Sequence, residues 1–531
     1  VHPRLPPTGA IQARAIPPEE SPHVPIRKPA APARKKSSRP KHAATAPVTA
    51  VDVLIIGAGP SGLSACIKLQ EQGVTDTVIL DRASRIGGTW AVNDYPGLRC
   101  DVPSEMYSLG FAPKPDWSRS YAPQAEIRDY LEDVAKRFGI VDRIRLGTEV
   151  TDARWDDKAQ RWQVSTASGG HYSARVLVAA PGYIGEAQMP TFPGQERFQG
   201  TIFHSGMWNH GHDLRGERVA VIGCGASAIQ FLPVIQPLVK ELVSLQRTPT
   251  WVLPKPDFAM PKAVSALFRR APGLQKLVRE AALMSMEPAL PLFMNERWLR
   301  AVTHPLGLFN IRRSIRDPEL RRRLTPDHVL GCKRPLFSND WYDALAQPNV
   351  KVVFQGLSHL TETGIVTEDG SEFPVDTVIF GTGYAVAEPA IYRVLKGADG
   401  RSLSAHWQGR PRAYQGMAIH GFPNMFLMLG PNSHSVQGSV MWTSEHQADY
   451  IASAVTTIFG AGMGRLEVRE EVVKAFNQAI DRRLGRMPIR ADICSTYYLD
   501  RGGRNQFVWP EFGVNIKRRL QHFALADYQV Q

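Results

Sequence analysis

The chain alternates between short unbroken apolar runs and longer stretches in which apolar residues return every three or four positions. Residues 51–56 form a continuous apolar run of strand length, and 57–62 read Gly-Ala-Gly-Pro-Ser-Gly. A helical pattern through Leu63, Ile67 and Leu69 then runs to Gly73, and a second apolar run at 77–80 closes on Asp81. The succession returns at 218–222, followed by Gly223-Cys-Gly225-Ala226-Ser227-Ala228 and a helical pattern through Ile229, Leu232 and Ile235. A further run at 242–245 ends in Gln246-Arg247-Thr248. Strand, glycine loop, helix and strand, in that order and twice over, predict two βαβ units of the doubly wound type.

The intervening segments change period. Residues 124–138 read as a helix, and 149–155, 162–166 and 176–180 as short strands of an antiparallel insertion that returns to the parallel sheet. Residues 258–330 are rich in Arg and Leu, with proline breaks and no strand signal, which predicts a helical insertion in the second unit. Arg312-Arg313 and Arg321-Arg322-Arg323 read there as solvated helix faces. Apolar runs resume at 350–354 and 375–380, and the chain returns to the first unit through Gly381-Thr-Gly383-Tyr384 and the 426–432 segment. The expected fold is α/β, with two Rossmann-like dinucleotide-binding domains and the helical insertion in the second. The expected divisions are a 1–50 tail, 51–190, 191–375, and a return at 376–531. Between the glycine loops, 198–209 carries Phe198, Gly200, His204 and Trp208 with neither helical nor strand periodicity, and reads as a joint between the two units.

Composition adds limits. The 531 residues are 43% hydrophobic and 21% charged, ordinary for a globular enzyme, but the formal net charge is +13. Residues 1–50 hold nine Lys/Arg against Glu19 and Glu20, a net +7, together with eleven prolines. Such a segment cannot bury enough apolar surface to offset its chain entropy and reads as a disordered tail. The remaining +6 reads as a mild charge spread over the rest of the chain, so no nucleic-acid partner is expected. No run of about 18 apolar residues suggests a membrane span, and no signal-peptide apolar block is present. Cys66, Cys100, Cys224, Cys332 and Cys494 are widely spaced without a Cys-x-x-Cys. That argues against a disulfide framework, a metal site and a dithiol redox centre, and makes the cytoplasm the expected compartment.

The two loops differ in one informative respect. Asp81 and Arg247 occupy the same offset from Gly57 and Gly223. A carboxylate there accepts hydrogen bonds from free ribose hydroxyls, whereas a guanidinium favours a 2′-phosphate through charge-assisted bonds. Glycines let backbone N–H groups approach a pyrophosphate at the helix N-terminus. A second polar cluster, Gly87-Gly88-Thr89-Trp90 running on to Tyr95-Pro-Gly97-Leu-Arg99-Cys100-Asp101, suggests a longer cofactor with a ring system reaching further in. The reading is FAD in the first unit and NADP(H) in the second.

Two complete dinucleotide sites resemble the two-dinucleotide-binding-domain flavoproteins. Disulfide reductases share that layout but need a cysteine pair beside the flavin, where this chain has Trp90 and a single Cys100. Phe198-x-Gly200-x-x-x-His204-x-x-x-Trp208, with Gly87-Gly88-x-Trp90 and Tyr95-Pro96-Gly97-x-x-x-Asp101, resembles the signatures of type I Baeyer–Villiger monooxygenases over roughly residues 50–515. Asn209 stands where that family has Pro or Asp and is expected to cap the following loop.

The resemblance implies further roles. Arg334 lies over the flavin, Lys333 near the NADP phosphate, and Asp101 against both that arginine and the cofactors. Arg99, Cys100, Tyr107, Val150 and Met441 line the cofactors together with Ser61, Gly62, Thr89, Thr248 and the loop glycines. His204 belongs to a hinge between domains, and Trp509 to a mobile C-terminal loop that covers NADP. The implied reaction uses NADPH and O2, through a C4a-peroxyflavin, to convert a ketone into an ester or lactone. A monomer or weak homodimer is expected. Two other readings remain open: a flavin-containing N- or S-oxygenase, and a non-catalytic FAD/NADP-binding regulator or uncoupled NADPH oxidase.

Overall fold

The computed structural model describes residues 47–386, 388–435, 439–489, 494 and 496–531, and every structural statement below concerns these. All but the last four residues of the expected tail lie outside them. The first sheet has eight strands, in the order Leu395–Lys396, Val150–Asp156, Arg161–Thr166, His171–Ala179, Val48–Ile56, Thr77–Leu80 and Ile144–Arg145, with Met425–Leu427 also pairing His171–Ala179. The antiparallel hairpin occupies the first half of His171–Ala179, which leaves residues 177–179 to pair in parallel with Met425–Leu427. Val51 and residues 53–56 are buried, as the unbroken apolar run requires of a parallel strand covered on both faces.

The second sheet is wholly parallel, in the order Val350–Val353, Glu241–Leu245, Arg218–Ile222, Thr377–Phe380 and Thr201–His204. Three expected limits shift. The first strand begins at Val48, so it takes residues 48–50 from the tail. Thr377–Phe380 belongs to the second sheet, so the return to the first unit begins after it rather than at 376. Part of the 198–209 joint is regular: Thr201–His204 is an edge strand in register with Thr377–Phe380. Four residues are too few to display a period, and the partner's hydrogen bonds decide the conformation.

The 258–330 segment is helical, with Lys262–Arg270, Pro272–Ser285, Ala289–Met294, Glu296–Ser314 and Pro318–Leu324. It packs on both units. Arg279 of the second helix is buried, ion-paired with buried Glu445, and donates to the Ser108 carbonyl at 3.1 Å in the first unit. Ile311 and Leu324 join the core of the second unit.

Candidate functional site

The first glycine loop is a close-packed cradle. Gly57 has φ +108°, and a Cβ there would lie 2.2 Å from the Ala180 carbonyl oxygen. Gly59 and Gly88 face each other so closely that a Cβ on Gly88 would come within 2.9 Å of the Gly59 Cα. The 87–90 cluster is thus folded onto the Gly57–Gly62 loop. The Pro60–Glu71 helix starts with proline and no side-chain cap, so its first N–H groups point outward as a phosphate site requires. Asp81 spends part of its capacity on the backbone, accepting from Ala58 N at 2.6 Å and Ala83 N at 2.7 Å. Each oxygen keeps a lone pair for a ribose hydroxyl.

Deeper in, Trp90 donates to the Tyr107 hydroxyl at 3.1 Å with the rings edge to face. Burial holds the Tyr107 phenol well above its ordinary pKa, so it stays protonated. Ser61 and Ser444 share a hydrogen bond of 2.8 Å that ties the loop helix to Val440–Gly460. Met441 is wholly buried on the first turn of that helix, which Ser439 caps. Thr89 begins a short helix beside this group, and Val150 is buried at the start of its strand.

The second loop is more open. Gly223 has φ +111° and abuts the Gly381 carbonyl, but a Cβ on Gly225 would meet nothing within 4 Å. Ala226 is exposed, and Ser227 precedes the Ala228–Ile235 helix. Arg247 is exposed at the end of the second strand of this unit, and Thr248 accepts from the Cys224 thiol at 3.3 Å. Burial pushes that thiol up to about 11, opposed by the positive charge of Lys333. Lys333, Cys224 and Thr248 therefore gather on one side of the loop. If Arg247 reads a 2′-phosphate, Arg247→Ala is expected to raise the KM for NADPH about 10- to 100-fold and to leave that for NADH nearly unchanged. Initial-rate kinetics with both nucleotides checks this.

Arg334 and Asp101, 233 residues apart in sequence, form a two-pronged ion pair: Nε donates to Oδ2 at 2.9 Å and an Nη to Oδ1 at 2.8 Å. Asp101 first, and then neighbouring phenols, hold the guanidinium well above its already high pKa. Tyr183, Tyr497 and Tyr498 are those phenols, and His434 lies against Tyr183 with ring centres 4.7 Å apart. Burial and the Arg334 charge push His434 down to about 4, so it is neutral near pH 7. Both its ring nitrogens are buried without a hydrogen-bond partner. None of these four aromatic residues carries a periodicity or motif that marks it in the sequence.

Several residues named for the cofactors have protein partners of their own. Trp509 is wholly buried and packs edge to face on Phe476. The aromatic residues that the C-terminal segment turns toward Arg334 are Tyr497 and Tyr498. Arg99 pairs with Asp257 at 3.0 Å, and Arg119 holds the same carboxylate. Cys100 is buried with its thiol raised by burial, so it contributes shape and its carbonyl, which accepts from Lys255 at 2.8 Å. The expectation of no disulfide also fails. Cys332 and Cys494, 162 residues apart, are bonded, with Cα atoms 5.2 Å apart. Sequence spacing cannot reveal a pairing made by bringing two distant loops into one buried cluster with Trp251 and Leu299. The bond ties the residue preceding Lys333-Arg334 to the C-terminal segment.

The joint is built as a relay. His204 is wholly buried, accepts from Gly206 N at 2.9 Å through Nδ1, and leaves Nε2 without a partner. Burial lowers its pKa, so it is a neutral positioning group. Its ring packs on Tyr384, whose hydroxyl donates to Asn93 Oδ1 at 2.6 Å, and Asn93 in turn donates to the Thr89 carbonyl at 3.0 Å. Phe198 and Gly200 wedge the strand: a Cβ on Gly200 would lie 2.1 Å from the Asp376 carbonyl oxygen. Trp208 leans on Phe203 and Phe231. Asn209 caps its loop as expected, accepting from Gly211 N at 3.2 Å.

A mixed sheet and a wholly parallel sheet, each with a glycine cradle, define a flavoprotein with two dinucleotide-binding domains. Residues 54–241 match the pyridine nucleotide-disulphide oxidoreductase family. The cysteine bond here lies away from Trp90, so what that match shares is the nucleotide fold. A Baeyer-Villiger monooxygenase of Streptomyces coelicolor is 41% identical over 90% of this chain and 92% of its own length. One of Pseudomonas aeruginosa is 40% identical over 90% and 91%. Solved structures with this fold include a closed cyclohexanone monooxygenase (26% identity, TM-score 0.82, 91% of this chain and 100% of that one). An oxidized steroid monooxygenase bound to NADP has 30% identity and TM-score 0.80 over 91% of this chain and 99% of that one. The chain belongs to the Baeyer–Villiger monooxygenases, oxidoreductases that use FAD and NADPH. Its glycine cradles and the unpartnered His434 nitrogens suit such cofactors. Among the described residues no helix is long and apolar enough to cross a membrane.

Proposed function

We propose that Arg334 and Asp101 are the catalytic pair of a ketone-to-ester oxidation, with O2 and a small-molecule ketone as the other reactants. The single observation that carries this reading is the two-pronged Arg334–Asp101 pair, half-buried among phenols. The overall balance is ketone, O2, NADPH and a proton giving ester, NADP⁺ and water. FAD, held by the Gly57–Gly62 loop, Asp81, Trp90 and Tyr107, supplies activation of oxygen; NADPH, held by the Gly223–Ala228 loop, Arg247, Thr248 and Lys333, supplies the hydride. Arg334 keeps a fixed positive charge at any working pH and stabilises the oxyanion that develops from the ketone carbonyl. Asp101 occupies one edge of the guanidinium, fixes its plane and leaves the remaining N–H groups for the reacting oxygen. The phenols and the neutral His434 around it hold water away from that charge. The His204–Tyr384–Asn93 relay couples nucleotide binding in the second unit to Thr89 beside the first loop.

Arg334 and Asp101 also favour this chemistry over N- or S-oxygenation, which attacks a nucleophilic heteroatom and needs no oxyanion stabiliser. An uncoupled oxidase or a non-catalytic regulator would have no use for the pair. Incubation with NADPH and a panel of cyclic ketones and thioethers, read by mass spectrometry, is expected to yield lactone gaining one oxygen atom. Sulfoxide without lactone, or hydrogen peroxide as the sole product, would sink the reading. The dependence on NADPH agrees with a cytoplasmic enzyme, and the same body acting as a monomer or weak dimer is our reading of its assembly.

A further inference from the structure

Two helices of the 258–330 insertion carry apolar stripes on their outer faces. Along Pro272–Ser285 the buried residues are Gln275, Arg279 and Leu283, whereas Leu274, Leu277, Val278 and Met284 face solvent. Along Glu296–Ser314 the buried residues are Leu299, Thr303, Gly307, Asn310 and Ile311, and the exposed stripe is Trp298, Val302, Leu306 and Phe309. Those four recur at the spacing of one helical face. The polar residues inside have partners, although Arg279 Nε and Asn310 Oδ1 have none. Gln275 donates to Glu105 and to the Lys114 carbonyl, Asn310 to the carbonyls of Val252 and Ser338, and Gly307 makes room for the Trp251 ring. The apolar residues outside have no such account, yet Leu277, Trp298 and Phe309 are 64%, 60% and 59% exposed. Single exposed apolar side chains are ordinary; a stripe of four along one helix marks a contact surface.

Charge points to the partner. Residues 258–330 hold thirteen Lys/Arg against six Asp/Glu, a net +7. Residues 1–50 carry another +7 of the +13 total, so the other 408 residues sum to −1. The positive charge is therefore not spread mildly over the folded body, as composition suggests, but confined to this insertion. Arg297 and Arg300 flank Trp298, and Arg312, Arg313 and Arg316 follow Phe309. Arg312 and Arg313 line, with Pro305, Leu308 and Phe309, an open cleft of about 520 Å³.

We propose that the outer face of Glu296–Ser314 docks on an anionic lipid surface, with Trp298 and Phe309 entering the headgroup–acyl boundary and the arginines beside them binding lipid phosphates. A second copy would set the arginines of this stripe against their own kind. A peptide partner would need a groove, whereas these stripes form the outer faces of separate helices. The contact is peripheral.

The test uses the full FAD-loaded chain and vesicle flotation. Vesicles of phosphatidylcholine with about one-third phosphatidylglycerol are expected to carry the protein up and to release it as salt rises, and pure phosphatidylcholine to retain far less. W298S/F309S and R312Q/R313Q are each expected to cut the bound fraction about ten-fold, with FAD content and NADPH oxidation in solution unchanged. Failure to bind anionic vesicles overturns the proposal. So does wild-type binding by W298S/F309S, which would trace the affinity to the 1–50 segment. A dimer that W298S/F309S dissociates, without vesicle binding, would assign the face to self-association instead.

Discussion

Replacing Arg334 by alanine is expected to leave a folded protein with a normal FAD content that forms no detectable ester. Among the described residues the hydrogen bonds of the guanidinium go to Asp101, and the phenols of Tyr183, Tyr497 and Tyr498 act on its charge. Flavin binding should therefore survive. Loss of one preorganised donor to a developing oxyanion costs about 10²–10³-fold in kcat, and loss of the charge itself adds to that. Arg334→Lys keeps the charge but cannot span both Asp101 oxygens in one plane, so partial recovery is expected at most. The measurement is product yield per NADPH consumed, beside the visible flavin spectrum. Wild-type ester yield from Arg334→Ala would remove the guanidinium from the chemistry. Asp101→Asn, which keeps the shape but not the anion, is the companion: it should lose turnover through misorientation while NADPH binding holds.

The second large effect concerns the first cradle. Gly57→Ala is expected to yield protein without bound FAD, and hence without activity. A methyl at this position sits 2.2 Å from the Ala180 carbonyl oxygen, at a φ of +108° that L-residues rarely adopt. The obstacle is backbone of the adjoining strand, so no side-chain rotation relieves it. Gly225→Ala provides the contrast, because its Cβ meets nothing within 4 Å. That variant should fold, keep FAD and show at most a weaker grip on NADPH. Absorbance near the flavin band per protein after gel filtration distinguishes the two; a flavin-replete Gly57→Ala would show that the cradle yields more than its packing implies.

These predictions differ in how far the sequence anticipates them. Gly57, Gly59 and Gly62 are legible because a pyrophosphate loop needs glycines at set offsets between a strand and a helix, all within one short segment. The Asp81 and Arg247 contrast is legible for the same reason: both lie at the end of the next strand. The strand that includes His204 was hidden, since four residues show no period and its partner, Thr377–Phe380, is more than 170 positions away. The surround of the guanidinium was hidden for a similar reason: Tyr497 and Tyr498 reach it from the C-terminal segment and carry no pattern that marks them.

The sequence by itself thus determined the two nucleotide units, their order and the family, because each rests on local chemistry repeated over short, fixed spacings. Tertiary structure alone decided what depends on approach between distant segments. It set the Arg334–Asp101 pair within its aromatic surround, the His204–Tyr384–Asn93 relay, and the Cys332–Cys494 bond. It also decided which face of each insertion helix is buried. Periodicity marks an apolar stripe but not its direction, and in Pro272–Ser285 and Glu296–Ser314 polar groups share the inside with Leu283, Leu299 and Ile311, leaving other apolar residues outward among arginines.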